Sequence, residues 1–141
     1  MEPPELFDWF VRLREGFGFT VIPLGPRAGM AVVRALRANQ VVALLADRDI
    51  GGGGVDVEFF GETTKLPGGP AALARRTGAP LLPTAIYFDS RGHHAVVRPP
   101  VPPEGSVAEV TQRLAAELER LIRRAPEQWH LFQPNWPSDR E

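Results

Sequence analysis

Val41-Val42-Ala43-Leu44-Leu45-Ala46 is an unbroken apolar run of strand length, and Asp47-Arg48-Asp49 follows it directly. A run without polar alternation is the pattern of a parallel strand covered on both faces. That reading places Asp47 at the carboxyl end of a strand, where the loops of open α/β sheets form their crevice. Three charges behind six buried-type residues carry a desolvation cost unless they are paired. One reading is a carboxylate that orients or charges a catalytic base, with Arg48 balancing the cluster or meeting an anionic substrate. The other is an internal salt bridge at a turn. On the residues alone both stay open.

Working upstream, Leu6, Phe7, Phe10, Val11 and Leu13 recur at near-helical spacing until Gly16 and Gly18 break the pattern, which predicts an amphipathic helix and its stop. Phe19 to Leu24 reads as a strand, and Pro26 to Asn39 as a second helix. Downstream, Gly51 to Gly54 lack the Lys-Ser or Lys-Thr of a phosphate cradle and read as a flexible turn. Val55 to Phe60 alternates as a strand with one wetter face. Pro70 to Thr77 is a short helix closed by Gly78, and Pro80 to Phe88 a strand whose Pro83 marks an edge or bulge. His93 to Arg98 can pair with it across Asp89-Ser90-Arg91-Gly92. Ser106-Val107-Ala108-Glu109 has the form of a capping box. The helix it opens carries Val107, Val110, Leu114, Leu118, Leu121 and Ile122 on one face, and Pro126 ends it. Strands alternating with helices predict an α/β fold: a mixed, largely parallel sheet flanked by helices.

Composition narrows the classes. With 141 residues, 43% of them hydrophobic, the expectation is one compact core. Sixteen basic and 17 acidic residues leave a formal charge of -1, so no global field selects nucleic acid as a partner. The absence of cysteine excludes a disulfide framework and thiolate metal sites. No apolar stretch approaches the roughly 20 residues that cross a bilayer, and Met1-Glu2-Pro3-Pro4 does not read as a signal peptide, so any membrane contact is expected at the surface.

Few other residues suggest chemistry. Leu66-Pro67-Gly68-Gly69-Pro70-Ala71 leads into a helix whose free N–H groups could hold an oxygen anion, as every helix amino terminus could. His93 and His94 are adjacent on a strand, point to opposite faces and read as surface residues. His130 sits among Trp129, Phe132 and Trp136, either an aromatic tail packed on the core or a membrane-facing lip. No Gly-x-Ser-x-Gly elbow is present.

Arg14-Glu15-Gly16-Phe17-Gly18 leading to Val21-Ile22-Pro23, then Asp47-Arg48-Asp49, Val57-Glu58-Phe59-Phe60-Gly61, Leu66 to Ala74 and Pro126-Glu127-Gln128-Trp129-His130 together resemble the bacterial lipid A lauroyl/myristoyl-type acyltransferases. Asp-Arg-Asp and Trp-His-Leu-Phe-Gln-Pro-Asn-Trp are most similar to the actinobacterial phosphatidylinositol mannoside acyltransferases. The resemblance implies transfer of a fatty acyl group from acyl-CoA, as co-substrate, to a mannose hydroxyl of an anionic glycolipid. The place it implies is peripheral, at the cytoplasmic face of the cell membrane. It implies no metal and no other cofactor.

The family's base is a histidine followed four residues later by aspartate. Here His93 is followed at that distance by Val97, His94 by Arg98 and His130 by Pro134. Residues 1–141 are therefore expected to be the carboxyl-terminal portion of a single acyltransferase domain, without its amino-terminal catalytic segment. By the same resemblance Asp47 matches an acidic residue in charge relay with that histidine, where mannoside enzymes can carry glutamate. Arg14 matches an arginine lining the pocket, and Arg48, Asp49, Gly61, Pro67 and Gly68 are the further substrate-side candidates. A lipid A acceptor and a non-catalytic piece that binds anionic lipid or CoA are the alternatives.

Overall fold

The computed structural model describes residues 4–140. The chain divides into two units, residues 1–42 and 43–141.

The first unit holds helices α1 (Pro4–Gly16) and α2 (Ala28–Arg37). On α1 the Trp9 and Phe10 rings meet edge to face at 5.0 Å, and the Arg14 guanidinium lies 5.3 Å from the Phe10 ring centre. Leu6, Trp9 and Leu13 fall on one side of α1 and are exposed, as are Phe17 and Phe19 beyond its end. Val32 and Val33 of α2 are buried. Asn39, with φ of 59°, takes the left-handed conformation that asparagine tolerates as α2 ends. Residues 19–24, expected as a strand, form none.

The second unit runs β1 (Val55–Phe59), β2 (Glu62–Leu66), α3 (Gly69–Thr77), β3 (Thr84–Asp89), β4 (Gly92–Val97) and α4 (Val107–Arg124), followed by short 3-10 turns at Pro126–Gln128 and Pro137–Arg140. β1 and β2 pair antiparallel, Val55 opposite Leu66 and Phe59 opposite Glu62. β3 and β4 do likewise, Thr84 opposite Val97 and Asp89 opposite Gly92. Leu81 and Val101 add an isolated antiparallel bridge.

The largely parallel sheet is thus corrected: helix and sheet are mixed as expected, but among the described residues the sheets are two antiparallel pairs. Residues 41–46 form no strand, and Val41 and Leu45 are 99% and 88% exposed. A parallel strand needs neighbours brought in by long crossovers, whereas a hairpin brings its own partner across two residues. Each hairpin has therefore formed, and among the described residues the apolar run pairs with neither.

Both hairpins keep a free edge, and a glutamine amide occupies part of each. Gln112 accepts from the Glu58 N–H at 2.8 Å and donates to the Glu58 carbonyl at 2.9 Å. Gln128 does the same for Phe88, both bonds at 3.0 Å. A planar amide offers donor and acceptor side by side, as a neighbouring strand would.

α4 organises the core of this unit. Its apolar face separates two clusters, Val57, Phe59, Leu66 and Ala115 in one, and Ala71, Val101, Val110 and Leu114 in the other. The capping box forms as expected: the Ser106 N–H donates to Glu109 at 2.6 Å, and Ser106 Oγ accepts from the Glu109 N–H at 3.2 Å. At the other end the Tyr87 hydroxyl donates to the Leu121 carbonyl at 2.6 Å, satisfying one acceptor that the last helical turn leaves open. Ser106→Ala is expected to cost about 1 kcal/mol, read as a lower urea midpoint at unchanged slope.

Candidate active site

The segment after the apolar run is fixed at three points. Ala46 packs against the Ala71, Val101, Val110 and Leu114 cluster. Asp47, half-buried, accepts through Oδ2 from the Trp129 indole N–H at 2.8 Å. Asp49 accepts through Oδ1 from Gly51 N–H at 3.1 Å and through Oδ2 from Gly54 N–H at 2.7 Å. Asp49 thereby binds the glycine turn, which is an anchoring task rather than a free carboxylate. A Cβ at Gly54 would meet Asp49 Oδ2 at 2.7 Å and the Leu66 carbonyl at 2.8 Å, so only glycine lets the strand approach that closely.

Asp47 Oδ1 has no hydrogen-bond partner among the described residues, and neither does the half-buried Arg48. The expected salt bridge within the triplet is not formed. What remains on these two neighbouring residues are one carboxylate oxygen and one guanidinium without hydrogen-bond partners among the described residues, chemistry suited to orienting a base and to meeting an anion.

Trp129 belongs to the aromatic group for which the sequence leaves open packing on the core or a membrane-facing lip, and here it packs. It stacks on Phe60 at 5.6 Å and 16°, and meets Phe59 edge-on at 6.0 Å and Trp136 edge-on at 6.1 Å. Trp136 in turn donates its indole N–H to the Phe59 carbonyl at 2.9 Å. Phe60 and Gly61 form the β1–β2 turn with φ of 59° and 85°, the mirror-type turn that matches strand twist. A phenylalanine there costs about 1–2 kcal/mol of backbone strain. Glu119 offsets it by accepting the Phe60 N–H at 2.8 Å, and Arg123 lies over the Phe60 ring at 4.9 Å. Gly61 thus belongs to the turn whose preceding residue supports Trp129.

The Phe60 N–H, and next to it the Arg123 side chain, hold the Glu119 carboxyl below a free glutamate's 4.5. A lowered folded value means that Glu119 stabilises fully above 4.5 and loses that contribution as pH falls through the folded value. Urea midpoints are expected to decline on that acid side, and Glu119→Gln to flatten part of the decline.

The other candidates have these surroundings. Pro67 and Gly68 join β2 to α3, and a Cβ on Gly68 would meet Val55 at 2.8 Å and Val107 at 3.1 Å. Arg14 lies in the first unit over Phe10. His93 and His94 are exposed on β4, and exposed His130 stacks on Phe132 at 6.0 Å; none of the three hydrogen-bonds Asp47. Among the described residues no group of three or more His, Asp or Glu side chains is placed to hold a metal ion.

Comparison with known proteins bears on this arrangement. The family described as bacterial lipid A biosynthesis acyltransferase matches residues 1–138. A protein of Mycobacterium tuberculosis named phosphatidylinositol mannoside acyltransferase is 44% identical over 143 residues, covering 99% of this chain and 45% of that protein. One of the same name from Mycolicibacterium smegmatis is 40% identical, covering 99% of this chain and 47% of that protein. The chain spans about half the length of the curated relatives it matches.

Proposed function

Because the chain belongs to the bacterial lipid A biosynthesis acyltransferase family, we propose that it is part of an enzyme transferring a fatty acyl group from acyl-CoA to a mannose hydroxyl of a phosphatidylinositol mannoside. The observation that carries this reading is the 44% identity, over 99% of the chain, to a protein named for that substrate. In the reaction the sugar oxygen forms an ester bond with the acyl carbon and the thioester C–S bond breaks. The hydroxyl proton goes to a base and then to the departing thiolate, so atoms and charge balance.

By family resemblance the base is a histidine that His93, His94 and His130 do not supply. Asp47 is the carboxylate that fixes the tautomer of that imidazole and stabilises the imidazolium formed when the hydroxyl loses its proton. Arg48 meets the anionic donor or acceptor, and Arg14 steadies the charge developing on the thioester oxygen. Gly61, Pro67 and Gly68 wall the acyl or acceptor channel. Among the described residues no helix is long and apolar enough to cross a membrane. The exposed Leu6, Trp9 and Leu13 of α1 suit peripheral contact at the cytoplasmic face of the membrane.

The test is a chimera in which this chain replaces the matched region of the Mycolicibacterium smegmatis relative. Acyl transfer from acyl-CoA to a phosphatidylinositol mannoside is the expected result. A folded, soluble chimera that binds both substrates and transfers nothing overturns the reading.

A further inference from the structure

We infer that Trp129 is a positioning residue, whose indole N–H sets the orientation of the Asp47 carboxylate toward the base. The inference rests on the acyltransfer reading and extends it to a residue 82 positions further along the chain.

Relay from a carboxylate requires that one oxygen face the imidazole in a fixed direction while the charge is kept. A carboxylate turns about its last side-chain bond through a broad well, so unaided it does not hold that direction. Trp129 supplies one directed bond, 2.8 Å from Nε1 to Oδ2, and leaves Oδ1 available. The donor is neutral. An arginine or lysine in the same place would hold the carboxylate too, but would also offset the charge that stabilises an imidazolium.

The indole is itself held. Phe60 covers one face at 5.6 Å and 16°, while Phe59 and Trp136 press their edges at 6.0 and 6.1 Å. Phe60 is fastened by Glu119 through its N–H, and Arg123, which lies on its ring, is held by two bonds to Glu119 at 2.9 and 2.7 Å. A half-buried indole N–H needs an acceptor, and at Trp129 that acceptor is a carboxylate side chain. Trp136 provides the contrast, since its N–H goes to the backbone carbonyl of Phe59.

Trp129→Phe keeps a ring for the stack and removes the donor. In the chimera it is expected to lower kcat on the order of tenfold to a hundredfold, the scale of a misdirected catalytic group, with KM for acyl-CoA and acceptor within about twofold. Ser106→Ala, which loses the capping bond at the start of α4 and lies outside the aromatic group, is expected to lower the melting temperature while keeping kcat. Equal kcat in both variants assigns Trp129 a structural role only and overturns the proposal.

Two further measurements cover a Trp129→Phe protein that does not fold. In the chain alone, Asp47→Ala is expected to shift the Trp129 indole cross-peak in a ¹⁵N spectrum and to speed its exchange with solvent; an unchanged peak overturns the proposal. Phe60→Asn suits the positive φ while removing the stack, and is expected to reduce kcat in the same way. Full activity of that variant counts against the proposal. If Asp47→Asn itself leaves the chimera fully active, the relay reading of Asp47 fails first, separately from that of Trp129.

Discussion

Replacing Phe59 by alanine is expected to destabilise the second unit by about 3–5 kcal/mol, the range for emptying a fully buried aromatic site. Phe59 is 0% exposed, and its ring meets Phe60 at 4.7 Å, Trp136 at 5.9 Å and Trp129 at 6.0 Å. Those neighbours come from the tip of β1 and from the tail after α4, so no single segment can relax to fill the space. Measured in urea, the midpoint is expected to fall by about 2 M at unchanged slope. Against a typical total of about 5–15 kcal/mol this is a large share of the unit's stability. A loss below about 1 kcal/mol would show that the tail does not pack on the hairpin as described.

Asp47→Asn is expected to act on rate and hardly on stability. Asparagine keeps the shape, and its carbonyl oxygen can accept the Trp129 N–H that Asp47 Oδ2 accepts now, so folding should change by no more than about 0.5 kcal/mol. What disappears is the negative charge. In the chimera, acyl transfer is expected to fall about 10²- to 10⁴-fold, the usual contribution of general acid–base assistance. Asp49→Asn provides the comparison, because Asp49 is engaged with Gly51 and Gly54 and is expected to change unfolding more than turnover. The reverse ranking of the two variants would move the relay role from Asp47 to Asp49.

Where local chemistry decides structure, the sequence was readable. α1, α2, α3 and α4 and the Ser106–Glu109 box lie where spacing and turn residues put them, and the β3–β4 hairpin turns where expected although β3 starts at Thr84 rather than Pro80. The run Val41 to Ala46 was misread because burial of a parallel strand is decided by neighbours remote in sequence. β2 escaped notice because Glu62-Thr63-Thr64-Lys65 offers no apolar alternation; it pairs because the Phe60-Gly61 turn returns it along β1. That turn lacks the Asn-Gly or Asp-Gly signal, since its strained residue is held by aromatic packing and Glu119.

At the site, Asp47 could be picked out as an anomaly of charge behind an apolar run. The salt bridge expected as its alternative did not form. Trp129 could not be picked out, because no spacing rule links residues 47 and 129, and an indole N–H looks the same in sequence whether it serves packing or a carboxylate. His130, expected in the same aromatic tail, is exposed while Trp129 beside it is half-buried.

The tail from Pro126 to Asp139 meets the β1–β2 hairpin through the rings of Trp129 and Trp136 and through hydrogen bonds. Trp136 donates to Phe59, Thr64 Oγ1 to the Asn135 carbonyl, and Ser138 to Glu62 through both N–H and hydroxyl, at 3.0 and 2.6 Å. A terminal segment can open as a unit at a lower cost than global unfolding. When this one opens, Trp129 leaves Asp47. The fraction of molecules with an oriented carboxylate is then the closed fraction of the tail, and each 1.4 kcal/mol of closing energy changes the open population tenfold. A mutation at Ser138 or Glu62, touching no substrate, can thus lower turnover by changing how many molecules are competent.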